Sequence, residues 1–250
     1  MNRKLRHVSV SVTIAIALLL AGRSINGVAS ESSPSKAENT PEFAIAQSMQ
    51  DSNLPRLEGK ATVVLEVKGK TIKIEVDGTN APITAGNFLE LVQLGIYDGL
   101  AFHRVVREPQ PFVVQGGDPQ SKDPNFPEAR LGTGGFTDPE TGLERSIPLE
   151  IKPLGAETPL YSQTFQRAGI TKQPQLKHTR GAVAMARSNV PDSASSQFYF
   201  ALADLPFLDG SYAVFGYVKE GMDVVDEIQQ GDRIESATVI EGLENLVLPQ

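Results

Sequence analysis

The stretch FHRVVREPQPFVVQGGD, Phe102–Asp118, organises this sequence. Two short β-branched runs, which favour strands, flank a proline-broken loop. Arg104 opens the first run, and Gln115 ends the second run just before two glycines. The pattern predicts two neighbouring strands that hold one cationic donor and one amide beside an apolar surface.

The composition limits the possible chemistry. The chain has 250 residues, of which 40% are hydrophobic, so it can bury the core of one large domain or two small ones. It has no cysteine, which excludes disulfides and thiol chemistry. Only three histidines occur, His7, His103 and His178, so a histidine-rich metal site is not expected. We therefore predict no metal site.

The charge argues against a nucleic-acid partner. The formal net charge is −7, and the first 30 residues contain four basic and no acidic side chains, so the remainder is more acidic still. Binding to phosphate backbones calls for a basic surface instead. The acidity is interpreted as favouring solubility.

The N-terminus has the pattern of an export signal. Basic residues precede an apolar run, Val8–Gly22, which is shorter than the ~20 residues of a spanning helix, and small residues then suit cleavage. We predict a signal peptide over residues 1–30. An uncleaved signal anchor remains the alternative and would be the only membrane contact. Residues 31–57 are rich in Ser, Pro and Glu, which predicts a flexible linker.

The remaining residues, 58–250, are predicted to form one domain. Alternating segments favour strands, and one amphipathic segment near each end of the domain favours a helix. The predicted strands are Ala61–Val67, Thr71–Val76, Gly181–Arg187, Gln197–Leu202, Tyr212–Val218 and Ile234–Ile240, besides the two runs in the opening stretch; the predicted helices are Ile83–Leu94 and Met222–Ile228.

Residues 119–176 are predicted to be a long, irregular insertion with one strand at Ser146–Ile151. The run Gly132–Gly135 invites comparison with a phosphate-binding loop. It lacks the following Lys-Ser/Thr pair and the strand-to-helix context, so a plain surface loop is preferred.

About eight strands and two helices predict a mainly β fold, a closed eight-stranded antiparallel barrel capped by two α-helices. A barrel of this size is filled by its own side chains, so a ligand would bind outside it. A barrel that encloses a small ligand is the alternative, and it requires an empty interior.

Three ordered motifs resemble the cyclophilin family of peptidyl-prolyl cis–trans isomerases. They are FHR…F-x-x-QGGD in Phe102–Asp118, Gly181–Arg187 with Ser196–Phe200, and Leu208–Gly216. The resemblance covers about Lys60 to Glu241 and implies the closed barrel. It also implies isomerase activity without a cofactor, unfolded or extended proline-containing polypeptides as substrates, and a monomer.

The resemblance also implies the site residues. Arg104 corresponds to the family's catalytic arginine. The implied substrate-binding residues are Phe112, Val113, Gln115, Ala186, Arg187, Ser188, Gln197, Tyr199, Phe207, Leu208 and Tyr212. The best-known eukaryotic members differ at four of these positions, with Met, Asn, Trp and His in place of Val113, Arg187, Phe207 and Tyr212 respectively.

Strand alternation assigns faces to the key side chains. Tyr199 is expected to point to the site, whereas Phe198 and Phe200 point to the core. His103 is expected to point away from Arg104 and to be structural. A Ser-His-Asp hydrolase is not supported, because no nucleophile-elbow motif occurs.

Two functions follow as hypotheses. The first is an exported isomerase that assists folding in the periplasm, with the thylakoid lumen or a membrane-anchored form facing the periplasm as alternatives. The second is a non-catalytic module that binds proline-containing peptides. It is suggested by Val113, Arg187 and two insertions relative to the family: the segment 119–176 and the loop Arg107–Pro111, which replaces a shorter link.

Overall fold

The computed structural model of the protein describes residues 53–139 and 141–249. The predicted export signal and residues 31–52 of the predicted linker lie outside these ranges. Among the residues described, none of the helices combines the length and the apolar character needed to cross a membrane.

The described chain is mainly β. Its two α-helices are α1 (Pro82–Gln93) and α2 (Met222–Glu227). Its strands are β1 (Arg56–Leu57), β2 (Lys60–Val67), β3 (Lys70–Asp77), β4 (Arg104–Val106), β5 (Val113–Gly116), β6 (Glu150–Ile151), β7 (Leu160–Tyr161), β8 (Ala182–Met185), β9 (Phe198–Ala201), β10 (Val214–Glu220), β11 (Ser236–Glu241) and β12 (Leu246–Val247).

Eight strands form one antiparallel sheet in the order β11-β2-β3-β10-β8-β9-β5-β4. The sheet is open, so the predicted closed barrel is wrong. No ladder within the described residues joins the edge strands β4 and β11, and β4 is only three residues long. The segments that precede these edges meet instead through irregular backbone bonds, including Phe102 N–H to Asp232 O at 2.8 Å and Ile234 N–H to Leu100 O at 2.9 Å.

Local sequence explains the hairpin β2–β3 and helix α1. Lys68 and Gly69 both have positive φ, 53° and 66°, the geometry of a tight turn whose twist matches paired strands. Pro82 occupies the first turn of α1, where no intrahelical N–H bond is lost. Nine of the twelve residues of α1 are buried, Phe88 among them, so the helix is covered on more than the face that packs against the sheet.

The inner face of the curled sheet and α1 enclose the main core, called here the inner cluster. Aromatic rings fill it: Phe198 lies 5.4 Å from Phe88, 5.3 Å from Tyr97 and 5.6 Å from Phe200 between ring centroids. Phe215 packs 4.9 Å from Phe88. These filled contacts eliminate the alternative of a barrel with an internal ligand.

The opposite face of β5, β8, β9 and β10 carries a second, smaller cluster, called here the outer cluster. Successive residues of these strands point alternately to the outer cluster and to the inner cluster, as the period of a strand requires. Its buried members are Val113, Ala182, Ala184, Tyr199, Ala201, Leu205 and Val214. Strands β8 and β9 are therefore buried on both faces.

The fold begins before the predicted domain start at residue 58. Arg56 and Leu57 form β1, which pairs with β12, and the side chain of Leu57 is fully buried. A Cβ atom on Gly86 of α1 would lie 2.5 Å from the Cα of Arg56, so β1 rests directly on the helix backbone. The end of the predicted linker thus belongs to the packed domain.

The long segment after Asp118 also enters the core. Its predicted strand is reduced to β6, which pairs with β7. Glu150 of β6 is buried and accepts hydrogen bonds from the backbone N–H groups of Ile83 (3.2 Å) and Thr84 (2.8 Å) at the start of α1. Burial raises the pKa of the Glu150 carboxyl, and these backbone bonds partly offset that effect.

Candidate active site

Arg104 lies at the rim of the outer cluster, where the antiparallel pairing of β4 with β5 places it opposite Gln115. Its Nη1 donates to Gln115 Oε1 at 3.1 Å, and its guanidinium lies 5.5 Å from the centre of the Phe112 ring. The guanidinium remains exposed to solvent. It is therefore a fixed cation whose remaining donors can meet a ligand.

The outer cluster supplies an apolar patch beside this arginine. Val113 and Tyr199 are buried in it, and Phe112, Leu208 and Tyr212 are partly buried against it. Tyr212 meets Tyr199 edge to face at 6.2 Å. Six predicted site residues meet here: Phe112, Val113, Ala186, Tyr199, Leu208 and Tyr212.

Phe207 lies at the edge of this apolar patch and is 69% exposed. Its ring stacks on Phe112 with the centroids 6.0 Å apart. The loop before Phe112 is anchored: Arg107 Nη2 donates to the backbone oxygens of Val225 (3.1 Å) and Ile228 (2.8 Å) at the end of α2. The longer loop therefore leaves Phe112 beside Arg104.

A hollow of about 310 Å³ adjoins Gln115 and Gln197. Arg187 lines it, but its guanidinium donates to Ser211 O (2.6 Å) and lies 4.7 Å from the centre of the Tyr212 ring. Ser188 is exposed on its rim and bonds to Ser193. Arg187 thus links the lining of the hollow to Tyr212, which packs against the outer cluster.

Three polar side chains that are distant in sequence meet at Tyr199 of the outer cluster. His178 lies with Nε2 3.0 Å from the Tyr199 hydroxyl and Nδ1 2.9 Å from Asp209 Oδ1. Burial lowers the pKa of His178, and Asp209 opposes that shift. Burial raises the pKa of the Tyr199 hydroxyl, which therefore stays protonated. This network orients the Tyr199 ring.

His103 is buried next to the exposed Arg104, and its ring lies close to Gly132, where a Cβ atom would be 3.3 Å from His103 Nε2. Burial lowers the pKa of His103, with nearby Asp118 opposing the shift. A neutral, buried imidazole fits the structural role that we predict for His103.

The sequence did not reveal every contact of the site. The backbone oxygen of Gly134, in the predicted plain surface loop, accepts from Gln197 Nε2 at 2.7 Å. His178 and Asp209 gave no signal, because isolated polar residues carry no spacing that predicts contact. Gly134 gave only a turn signal, since its glycine-rich run lacks a recognisable binding motif.

Comparison with known proteins places this site in a family. Residues 62–244 match the model of the cyclophilin type peptidyl-prolyl cis-trans isomerase/CLD family. The chain is 42% identical over 217 residues to a putative thylakoid lumen peptidyl-prolyl cis-trans isomerase of Synechocystis, covering 82% of this chain and 54% of that protein. It is 39% identical over 215 residues to a chloroplastic peptidyl-prolyl cis-trans isomerase of Arabidopsis thaliana, covering 79% and 46%. The chain thus spans about half the length of these two relatives.

Solved structures share the fold. A cyclophilin from Hirschia baltica matches with a TM-score of 0.51 and 23% identity over 82% of each chain. A Cryptosporidium parvum cyclophilin type isomerase, crystallised in the presence of the dipeptide Ala-Pro, matches with a TM-score of 0.53 and 23% identity over 72% of this chain and 99% of that one. The family match and the two relatives together show that the chain belongs to the cyclophilin type peptidyl-prolyl cis-trans isomerase family.

Proposed function

We propose that the protein is a peptidyl-prolyl cis–trans isomerase and that Arg104 is its catalytic residue. The observation that carries the proposal is the Arg104 guanidinium, held by Gln115 over Phe112 at the rim of the apolar outer cluster. All of these groups come from one chain, so the proposed activity needs only a monomer.

The reaction needs no bond to be broken. Rotation about a peptide bond is opposed by about 18–20 kcal/mol, because nitrogen shares its lone pair with the carbonyl group. Before proline the cis and trans forms differ by only about 0.5–1 kcal/mol, yet they exchange slowly. A catalyst must therefore stabilise the twisted state, in which the lone pair returns to nitrogen.

Arg104 suits this task because its guanidinium stays protonated and its fork is rigid. A donor aimed at the proline nitrogen binds the twisted state more strongly than the planar one, which is the condition for acceleration. The outer cluster would take the proline ring, with Val113 and Tyr199 below it and Phe112 and Leu208 beside it. Exclusion of water there strengthens the hydrogen bond from the arginine.

The substrates we propose are extended or unfolded polypeptides that contain proline. The hollow next to Gln115 would receive chain beyond the proline ring, with Ala186, Arg187, Ser188 and Gln197 as its wall. The exposed ring of Phe207 would close the other side.

The test is exchange spectroscopy on an X-Pro peptide with wild type, Arg104→Ala and Arg130→Ala. Arg130 is a matched control, because it is also exposed and lies 5.4 Å from an aromatic ring, that of Phe126. We expect wild type and Arg130→Ala to accelerate exchange equally, and Arg104→Ala to lose on the order of 100-fold or more. Full activity in Arg104→Ala would contradict the mechanism.

A second candidate is a module that binds proline-containing peptides without catalysis. The observation that favours it is Arg187, which is tied to Ser211 and Tyr212. It predicts saturable peptide binding by wild type with no acceleration of exchange, so the same experiment separates the two functions.

We further propose that the protein acts after export, in the periplasm or the thylakoid lumen. The basic and apolar pattern of residues 1–30 supports this, as do relatives named as thylakoid lumen and chloroplastic isomerases. N-terminal sequencing of the mature protein from fractionated cells tests it: a start near Glu31 is expected for a cleaved signal peptide, and retention of Met1 in a membrane fraction for an anchor.

A further inference from the structure

We propose that Asp118 is a positioning residue for Arg104 and that it acts through Gly134, Gln197 and Gln115. This inference rests on the proposed function, because it assigns Asp118 a part in aiming the proposed catalytic arginine. Asp118 is fully buried and ends the stretch that also contains Arg104.

The carboxylate of Asp118 holds the glycine-rich loop. Its Oδ2 accepts from the backbone N–H groups of Gly132 at 2.6 Å and Gly134 at 3.3 Å, and its Oδ1 accepts from Gln120 N–H at 2.9 Å. The packing is close, since a Cβ atom on Gly134 would lie 2.4 Å from Asp118 Oδ1. An ionised carboxylate can only accept, so these bonds define which way the loop backbone faces.

From this loop a chain of hydrogen bonds reaches the arginine. Gly134 O accepts from Gln197 Nε2 at 2.7 Å, and Gln197 Oε1 accepts from Gln115 Nε2 at 3.0 Å. Gln115 Oε1 then accepts from Arg104 Nη1 at 3.1 Å. Each amide turns its nitrogen towards Asp118 and its oxygen towards Arg104.

The two ends of the chain dictate this orientation. A glutamine amide can face either way, but the Gly134 oxygen requires a donor, so Gln197 must present its nitrogen there. Gln115 must then present its nitrogen to Gln197, which leaves its oxygen for the guanidinium. If either amide turned over, donors would face donors. A chain that runs from a cation to an anion is also strengthened, because each bond polarises the next.

Burial makes the orientation effective. Gln197 is 9% exposed and Gln115 is half-buried, so water can reach their amide groups only in part, from the hollow that they line. An amide that loses its partner there is left unsatisfied at a cost, whereas an exposed amide would bond to water. Release of the loop Gly132–Gly134 would therefore change the orientation of the Arg104 guanidinium.

The test compares Asp118→Asn with Asp77→Asn. Asp77 is a matched control, because it is also a buried aspartate that accepts from a turn, with Asn80 N–H at 3.1 Å, but it lies at the end of β3. We expect Asp118→Asn to lower kcat for peptide isomerisation about tenfold with little change in KM, since the lost orientation matters in the twisted state. Asp77→Asn should keep its kcat.

A spectroscopic readout separates positioning from loss of stability. In Asp118→Asn the side-chain amide resonances of Gln115 and the Nε–H resonance of Arg104 should shift, whereas in Asp77→Asn they should not. Asp118→Ser removes the same carboxylate with a smaller side chain, so the result does not depend on a single substitution. Unchanged resonances and unchanged kcat in the folded variants would overturn the proposal.

A double substitution tests the route. Gln197→Leu interrupts the chain but leaves the contacts of Asp118 with the loop. If Asp118 acts through Gln197, Asp118→Asn should lower kcat no further in that background; an undiminished further loss would overturn the route. If wild type shows no isomerase activity the proposed function fails, while the resonance shifts still decide whether Asp118 positions Arg104.

Discussion

The two faces of strands β8 and β9 differ in side-chain size and in polarity. The inner cluster receives Val183, Met185, Phe198 and Phe200 from them, which are large and wholly apolar. The outer cluster receives three alanines, Ala182, Ala184 and Ala201, together with Tyr199. Both faces are buried, so burial alone does not mark a binding site. What distinguishes the outer face is its small side chains and a tyrosine whose hydroxyl is hydrogen-bonded to His178.

Removal of an inner ring should have the largest effect on stability. Phe198→Ala removes a fully buried ring in contact with Phe88 and Tyr97, and we expect it to lower the free energy of unfolding by about 3–5 kcal/mol. Urea denaturation measures this. A loss below about 1 kcal/mol would mean that the inner cluster repacks easily and that the contrast between the faces is weaker than described.

Acid should weaken the outer face through His178, by less than the loss of the Phe198 ring. Its folded-state pKa lies below the ordinary value because burial disfavours the charged form. Because the folded state binds a proton at His178 less readily than the unfolded chain does, the stability that neutral His178 contributes is present at neutral pH. It is lost as the pH falls and protons bind the unfolded chain. We expect the free energy of unfolding to fall from about pH 7.5 to about pH 5.5 and to fall less in His178→Phe. Equal pH dependence in wild type and His178→Phe would mean that another group causes the fall in the free energy of unfolding. His103 would then be the next histidine to replace.

Deletion of one hydroxyl tests whether the polar network stiffens the outer face. Tyr199→Phe keeps the ring but removes the bond to His178 Nε2, and we expect a loss of about 1 kcal/mol of stability. Phe200→Leu, a change on the inner face of the same strand, is the comparison. No loss in Tyr199→Phe would show that the ring is held by packing alone.

The smallest effect on stability is expected at Phe207. Its ring is 69% exposed, so Phe207→Ala should change the free energy of unfolding by less than about 0.5 kcal/mol. Because the ring stacks on Phe112, we expect KM for a proline peptide to rise severalfold. Together with Phe198→Ala this gives the same chemical change at a buried and an exposed position. A large loss of stability at Phe207 would contradict the exposure.

The division between the faces was predictable from sequence because it depends on local alternation. The pattern QFYFAL placed Phe198 and Phe200 inside and Tyr199 outside, and the structure agrees. Helix α1 and the turn at Lys68–Gly69 are local in the same sense.

What escaped prediction depends on contacts between distant residues. Three features could not be predicted because they depend on where distant segments lie in space, which the periodicity of the sequence does not encode. They are the open sheet edge at β4, the bond from Gln197 to Gly134 and the contact of His178 with Asp209. The roles of the site residues came from family resemblance and not from spacing. The geometry now shows which of them touch, and the activity measurements will decide what they do.

The buried carboxylate of Glu150 has a consequence for engineering this domain. It comes from the long segment 119–176, yet it satisfies two N–H groups at the start of α1. A shortened domain made by excising that segment would leave the first turn of the helix without acceptors, in a place that water does not readily reach. The segment is better shortened between Leu154 and Pro159, outside β6 and β7, so that Glu150 stays in place.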